Sequence, residues 1–197
     1  MVMRYAVRLA TTFVISLAAL HAQDSALTTS GKWHNFLDET ARPVTLGAVI
    51  FNAGVSQVIN SDPRYGLGRA AFGQRIGASA ADIASQNFFS DFVFASAFHE
   101  DTRYFRRGPE YRFWSRVGYA ISRSVVVRKD QGGDTFNWAN VTGTAMSVGL
   151  SNAYYPSASR TGGAMALHFA TSVAGAGFGN LAPEFWPDVR HWLKRRL

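Results

Sequence analysis

Apolar positions recur at helical spacing through most of the chain, and breakers divide them into segments. Trp33, Phe36 and Leu37 share one side of a predicted short helix over 32–41, which Arg42-Pro43 stops. Pro43 is suited to open the next helix, because its missing N–H is one that a first helical turn leaves unbonded anyway. Five longer helical stretches follow: 43–60, closed by Ser61-Asp62-Pro63; 68–98, with a break expected near Phe88-Phe89; 110–127; 136–153, ended by Tyr154-Tyr155-Pro156; and 161–180, ended before Pro183. A tail helix is predicted over 187–196, and Asp130-Gln131-Gly132-Gly133-Asp134 reads as a loop. Ser124-Val125-Val126-Val127 is β-branched enough for a strand, but it lacks alternation and an obvious partner and is assigned to the helix before it. The predicted fold is all-α, a compact bundle of about five main helices in one domain over 32–197, behind a polar leader over 23–31.

Three of these helices carry small residues every fourth position. They are Gly73, Gly77, Ala81 and Ser85; Ala139, Gly143, Ser147 and Ser151; and Gly162, Ala166, Ala170 and Ala174. Positions four apart form a stripe on one face, and a stripe without bulk lets another backbone come close. Interior glycine costs up to about 1 kcal/mol relative to alanine in an exposed helix, so each stripe calls for a helix crossing. Membrane helix pairs use the same spacing. No stretch of 23–197 is a clean span, however, because polar and charged residues interrupt each apolar run.

The N-terminal residues set the compartment. Arg4 and Arg8 precede an apolar run from Leu9 through Leu20, and Leu20-His21-Ala22 offers a small residue for cleavage before Gln23. Residues 1–22 therefore read as a signal peptide, too short in its apolar part to span a bilayer. The expected location is the periplasm or cell envelope. The chain contains no cysteine, which excludes disulfides and N-terminal cysteine acylation. Its formal charge of +7 falls to +5 once Arg4 and Arg8 leave with the signal. After export such a charge suits anionic lipid or acidic envelope polymers better than nucleic acid. Only 17% of residues are charged, leaving little to clothe a wet surface.

An internal repeat links two segments. Asp62-Pro63-Arg64-Tyr65 and Asp101-Thr102-Arg103-Tyr104 are each followed by Phe-x-x-Arg-x-Gly, as Phe72, Arg75, Gly77 and Phe113, Arg116, Gly118. Tyr155, Arg160 and Gly162 echo it. Each copy reads as a turn feeding a helix, with Arg and Tyr packed over the junction. Together with His99-Glu100-Asp101, Phe136-Asn137-Trp138, Ser151-Asn152-Ala153-Tyr154-Tyr155-Pro156 and Glu184-Phe185-Trp186-Pro187-Asp188, these segments resemble a family of small, uncharacterised exported bacterial proteins. The resemblance spans most of 23–197 and implies no activity and no catalytic residues.

Candidate chemistry is sparse. His99-Glu100-Asp101 is the densest titratable cluster, and His168 is the residue that would have to join it in a cleft for an envelope hydrolase acting on a lipid or cell-wall component. A helix terminus explains the same cluster, with His99 offsetting the dipole and Asp101 starting the next turn. Asp82 and Asp91 are expected to pair with Arg116 and Arg123 between the second and third stretches. No nucleophile elbow, phosphate loop or zinc motif occurs, and no cofactor or metal is expected. In the tail, Trp186, Val189, Leu193 and Leu197 fall on one face, with Trp192 at its boundary and Arg190, His191, Lys194, Arg195 and Arg196 beside it. Such a helix lies in a membrane interface, or else packs its apolar face on the bundle. The leading expectation is a non-enzymatic envelope protein that associates with a membrane or with itself, and a soluble periplasmic scaffold or partner-binding protein is the further alternative.

Overall fold

The computed structural model describes residues 26–196. The predicted signal over 1–22, the first leader positions and Leu197 lie outside the described residues. The described chain is mostly helical. It runs α1 (Thr29–Ala41), α2 (Pro43–Val58), α3 (Arg69–Asn87), a π-helical segment (Phe88–Phe94), α4 (Ala95–Phe98), β1 (Glu100–Asp101), α5 (Phe113–Ser122), β2 (Val126–Lys129), β3 (Asp134–Phe136), α6 (Trp138–Ser151), a 3₁₀ turn (Ser157–Ser159), α7 (Gly162–Gly179) and α8 (Leu181–Arg196).

Local chemistry accounts for most boundaries. Thr28 accepts a hydrogen bond from the Gly31 N–H, so α1 begins three residues earlier than predicted and takes in the end of the leader. Arg42 is extended, and Pro43 opens α2 at its first position. Asn137 and Thr161 cap α6 and α7 by accepting from the N–H groups of Asn140 and Ala164. The break expected near Phe88 is a change of hydrogen-bond register within a continuous helix, from α to π. Phe88 and Phe92 in that segment meet Phe36 and Trp33 of α1, with ring centroids 5.6 and 5.0 Å apart. His99, left-handed at φ 56°, ends α4.

Two expectations are corrected. The residues after Ser122 are not helical. Val126–Lys129 is the central strand of a three-stranded antiparallel sheet, order β1-β2-β3, with Asp101 opposite Arg128 and Thr135 opposite Val127. One partner strand is only two residues long and more than twenty positions away in sequence. A pairing of that kind leaves no alternation to read along the chain. The tail helix also begins at Leu181 rather than 187, with Pro187 inside it. Pro183 falls in its first turn, where a missing N–H is tolerated, so it does not act as a stop.

α6 lies at the centre, packed on the π-helical segment, α3 and α7. Its stripe of Ala139, Gly143, Ser147 and Ser151 is buried throughout. Ser147 meets Ser85 of α3 at 2.7 Å between hydroxyls, and Gly143 lies against Ser90. The other stripes face differently. Gly73 and Gly77 are exposed, and a Cβ at either would meet nothing within 4 Å, while Ala81 and Ser85 are half-buried. On α7, Gly162, Ala166, Ala170 and Ala174 are all exposed. The close approach of α7 is made off that stripe, by Gly177 against the Ile121 carbonyl. The spacing marks a smooth face in all three helices; it is buried along its whole length in α6, meets α6 only through its C-terminal half in α3, and faces outward in α7.

Candidate membrane-facing site

The fold inverts the usual distribution of polarity. Among the described residues no Leu, Ile, Met, Phe or Trp is fully buried. The largest of the fully buried side chains are Arg75, Glu100, Glu184 and Thr144, beside small alanines. Large apolar side chains normally fill a core, and Arg and Glu are rarely fully buried unless paired.

The buried charges are held by dense local networks. Arg75, in the second turn of α3, donates to Gln57 (2.9 Å) and to the Ser61 carbonyl (2.8 Å), clamping the loop that precedes its own helix. Its counterpart in the repeat, Arg116 of α5, donates to Glu184 and Asp188, each at 2.6 Å. Glu184 also accepts from the Tyr104 hydroxyl (2.8 Å) and the N–H groups of Arg107 (2.9 Å) and Gly108 (3.2 Å). Burial alone would raise the Glu184 carboxyl, but Arg116 and these other donors outweigh it and hold the pKa below the ordinary carboxylate value. The two equivalent arginines are both buried but serve different contacts: Arg75 holds the loop before its own helix, and Arg116 holds α8.

The predicted His/carboxylate group does not assemble. His99 is exposed, with Nδ1 3.9 Å from Asp130. Glu100 is buried and accepts from the N–H groups of Trp138 (3.3 Å) and Ala139 (2.9 Å), which caps the start of α6. Asp101 pairs with Arg103. His168 is elsewhere, stacked on Tyr155 and 3.9 Å from Asp82, beyond the opposite end of α6. That helix has 14 residues, about 20 Å at 1.5 Å per residue. Among the described residues no group of three or more His, Asp or Glu is placed to hold a metal ion.

The expected pairing of Asp82 and Asp91 with Arg116 and Arg123 is also absent. Arg123 pairs with Asp134, and Arg116 with the α8 carboxylates. Asp82 accepts from the hydroxyls of Tyr154 (2.6 Å) and Tyr155 (2.5 Å), tying α3 to the loop after α6. Burial raises the Asp82 carboxyl against the lowering effect of those two donors and of His168. The only cue to this cluster was Tyr154-Tyr155, which reads first as a helix terminator. Its hydroxyls and carboxylate are occupied with one another, so it serves as a hydrogen-bonded tie between helices.

Burial pushes the Asp91 carboxyl from 3.8 up to about 7, partly offset by a hydrogen bond from Thr102. The folded state therefore keeps a proton that the unfolded chain has released between about pH 4 and pH 7. The contribution of this group to stability falls as pH rises through that window and is flat above it. Asp91→Asn should remove that slope and leave the variant more stable than the parent at pH 8, as read from denaturant midpoints across pH.

The displaced apolar side chains lie on the exterior. On α2, Phe51 is 69% and Val58 85% exposed, with Val44 and Ile50 beside them. Met146 and Leu150 of α6 and Leu167 and Phe178 of α7 are also exposed. α8 is turned the same way: Glu184 and Asp188 face the body of the protein, while Trp186, Val189, Trp192 and Leu193 are exposed beside Lys194, Arg195 and Arg196. Each of these four apolar side chains keeps at least two-fifths of its surface exposed. Among the described residues no helix is long and apolar enough to cross a membrane.

Comparison with protein-family models, with curated proteins and with solved structures finds no match for this chain.

Proposed function

We propose that this protein is an exported, non-enzymatic component of the cell envelope that associates with a membrane. The observation that supports the reading is the inverted polarity: charged and hydroxyl side chains inside, and Phe51, Val58, Leu167, Phe178 and the tail tryptophans outside. In water such a surface is unfavourable by roughly 25 cal/mol per Å² of apolar area, and contact with lipid removes that cost. The mode that fits these exposed apolar and cationic side chains is attachment along one face, at headgroup and upper acyl depth. The outward stripe on α7 favours a second, compatible reading, self-association of copies lying on the same surface.

Made without residues 1–22, the protein should sediment with membranes, resist release by high salt and be released by mild detergent. A chain that stays soluble and monomeric and ignores vesicles of every composition would defeat the reading.

A further inference from the structure

Resting on that membrane reading, we infer that the start of α5, with the two residues before it, and the tail helix together form one interfacial platform for anionic lipid headgroups. The sequence pattern singles out only the tail. In the structure, residues 111–114 join it. Phe113 meets Phe185 of α8 with ring centroids 5.2 Å apart, and Trp114 meets Phe113 at 5.0 Å. The connection beneath is polar: Arg116 lies over the Phe185 ring and binds Glu184 and Asp188. Tyr111, Phe113 and Trp114 are all exposed, Trp114 by 78%, and the contact of Phe113 with Phe185 joins them to the α8 turn that carries the exposed Trp186. Tyrosine and tryptophan concentrate at the boundary between headgroups and acyl chains, because each ring is apolar with one polar edge.

Charge selects the lipid. Arg112, Arg190, Lys194, Arg195 and Arg196 are exposed on these two segments. Glu184 and Asp188 are already engaged by Arg106 and Arg116, which leaves Glu110 as the acidic residue to set against those five cations. An uncharged membrane would use the aromatic half of this surface and leave the cations unmatched. Phosphodiester headgroups carrying a net negative charge match both halves, and each cation near such a surface strengthens attachment about fivefold.

The test is flotation of the purified chain lacking residues 1–22 with vesicles of phosphatidylcholine alone, or of phosphatidylcholine mixed with phosphatidylglycerol. Binding should be at least tenfold tighter to the mixed vesicles, an excess that high salt removes. Arg112→Gln with Arg195→Gln and Arg196→Gln should erase the preference for the mixed vesicles. Trp114→Ser should weaken binding to both vesicle types and reduce quenching of tryptophan fluorescence by brominated lipid. Thermal melts of each variant should match the parent, since none of these side chains is buried. Equal binding to both vesicle types, or binding indifferent to Trp114→Ser, overturns the platform while leaving membrane association intact. Failure of the parent chain to bind either vesicle overturns both. A dimer that Trp114→Ser dissociates, formed by a chain that binds no lipid, assigns the surface to a second copy and overturns the proposal.

Discussion

Glu184→Gln should be among the most destabilising single substitutions in this protein, costing about 3–5 kcal/mol, the range for breaking a buried ion pair. Glu184 is fully buried, and its carboxylate oxygens accept from Arg116, Tyr104 and two backbone N–H groups. The amide has the same shape but replaces one acceptor with a donor. It must therefore turn that donor toward another N–H or O–H while leaving Arg116 undercompensated. Equilibrium denaturation should show the loss as a lower midpoint. The pH dependence carries a second signature. The folded pKa of Glu184 lies below the ordinary value of 4.5, so its stabilisation is present above that pH and is lost as pH falls through the folded pKa. Glu184→Gln should remove this part of the acid limb. Pairing it with Arg116→Met should recover part of the loss, because a neutral amide beside methionine leaves no unpaired charge buried at this contact. No recovery in the double variant would show that the backbone contacts from Arg107 and Gly108, not the ion pair, carry the energy.

The features legible in the sequence were those fixed by neighbouring residues. Pro43 and Thr161 set the starts of the helices predicted from 43 and 161, one through its missing N–H and the other through its side-chain oxygen. Arg75 bonds the loop just before its own helix, whereas its repeat counterpart Arg116 bonds Glu184, nearly seventy residues on, which no local pattern reveals. The features that escaped depend on distant partners. Val126–Lys129 becomes a strand because Glu100-Asp101 and Asp134–Phe136 supply hydrogen bonds on its two sides. Glu100 reads as one member of a His/carboxylate cluster until the start of α6, nearly forty residues on, is seen to donate to it. Helical period says which residues share a face, not whether that face looks inward. This limit hid both the exposure of the α7 stripe and the apposition of residues 111–114 with α8. The low charge content pointed the same way as the inverted polarity, but composition cannot say which side chains are outside.

The distinction between a smooth face that packs and one that does not gives the second large effect. Gly143→Ala should destabilise the fold by about 1–3 kcal/mol, the usual cost of overpacking, despite the better helix propensity of alanine. A Cβ at this position would lie 2.6 Å from the Ser90 backbone nitrogen and 2.7 Å from its Cα. Backbone atoms cannot rotate aside as a side-chain tip can. Relief requires α6 and the π-helical segment to separate, which would disturb the packing at the centre of the molecule. Gly73→Ala and Gly77→Ala are the matched comparison, with the same substitution and the same spacing but open space around each Cβ. In detergent-dispersed monomer each should be neutral or stabilising by up to about 1 kcal/mol, since alanine restricts the unfolded chain and favours helix. If all three substitutions destabilised the monomer alike, helix geometry rather than close approach would be responsible. If Gly73→Ala and Gly77→Ala were harmless to the monomer but weakened association of copies on a membrane, the outward stripe would be a contact made between chains, for the same steric reason that Gly143 is required within one.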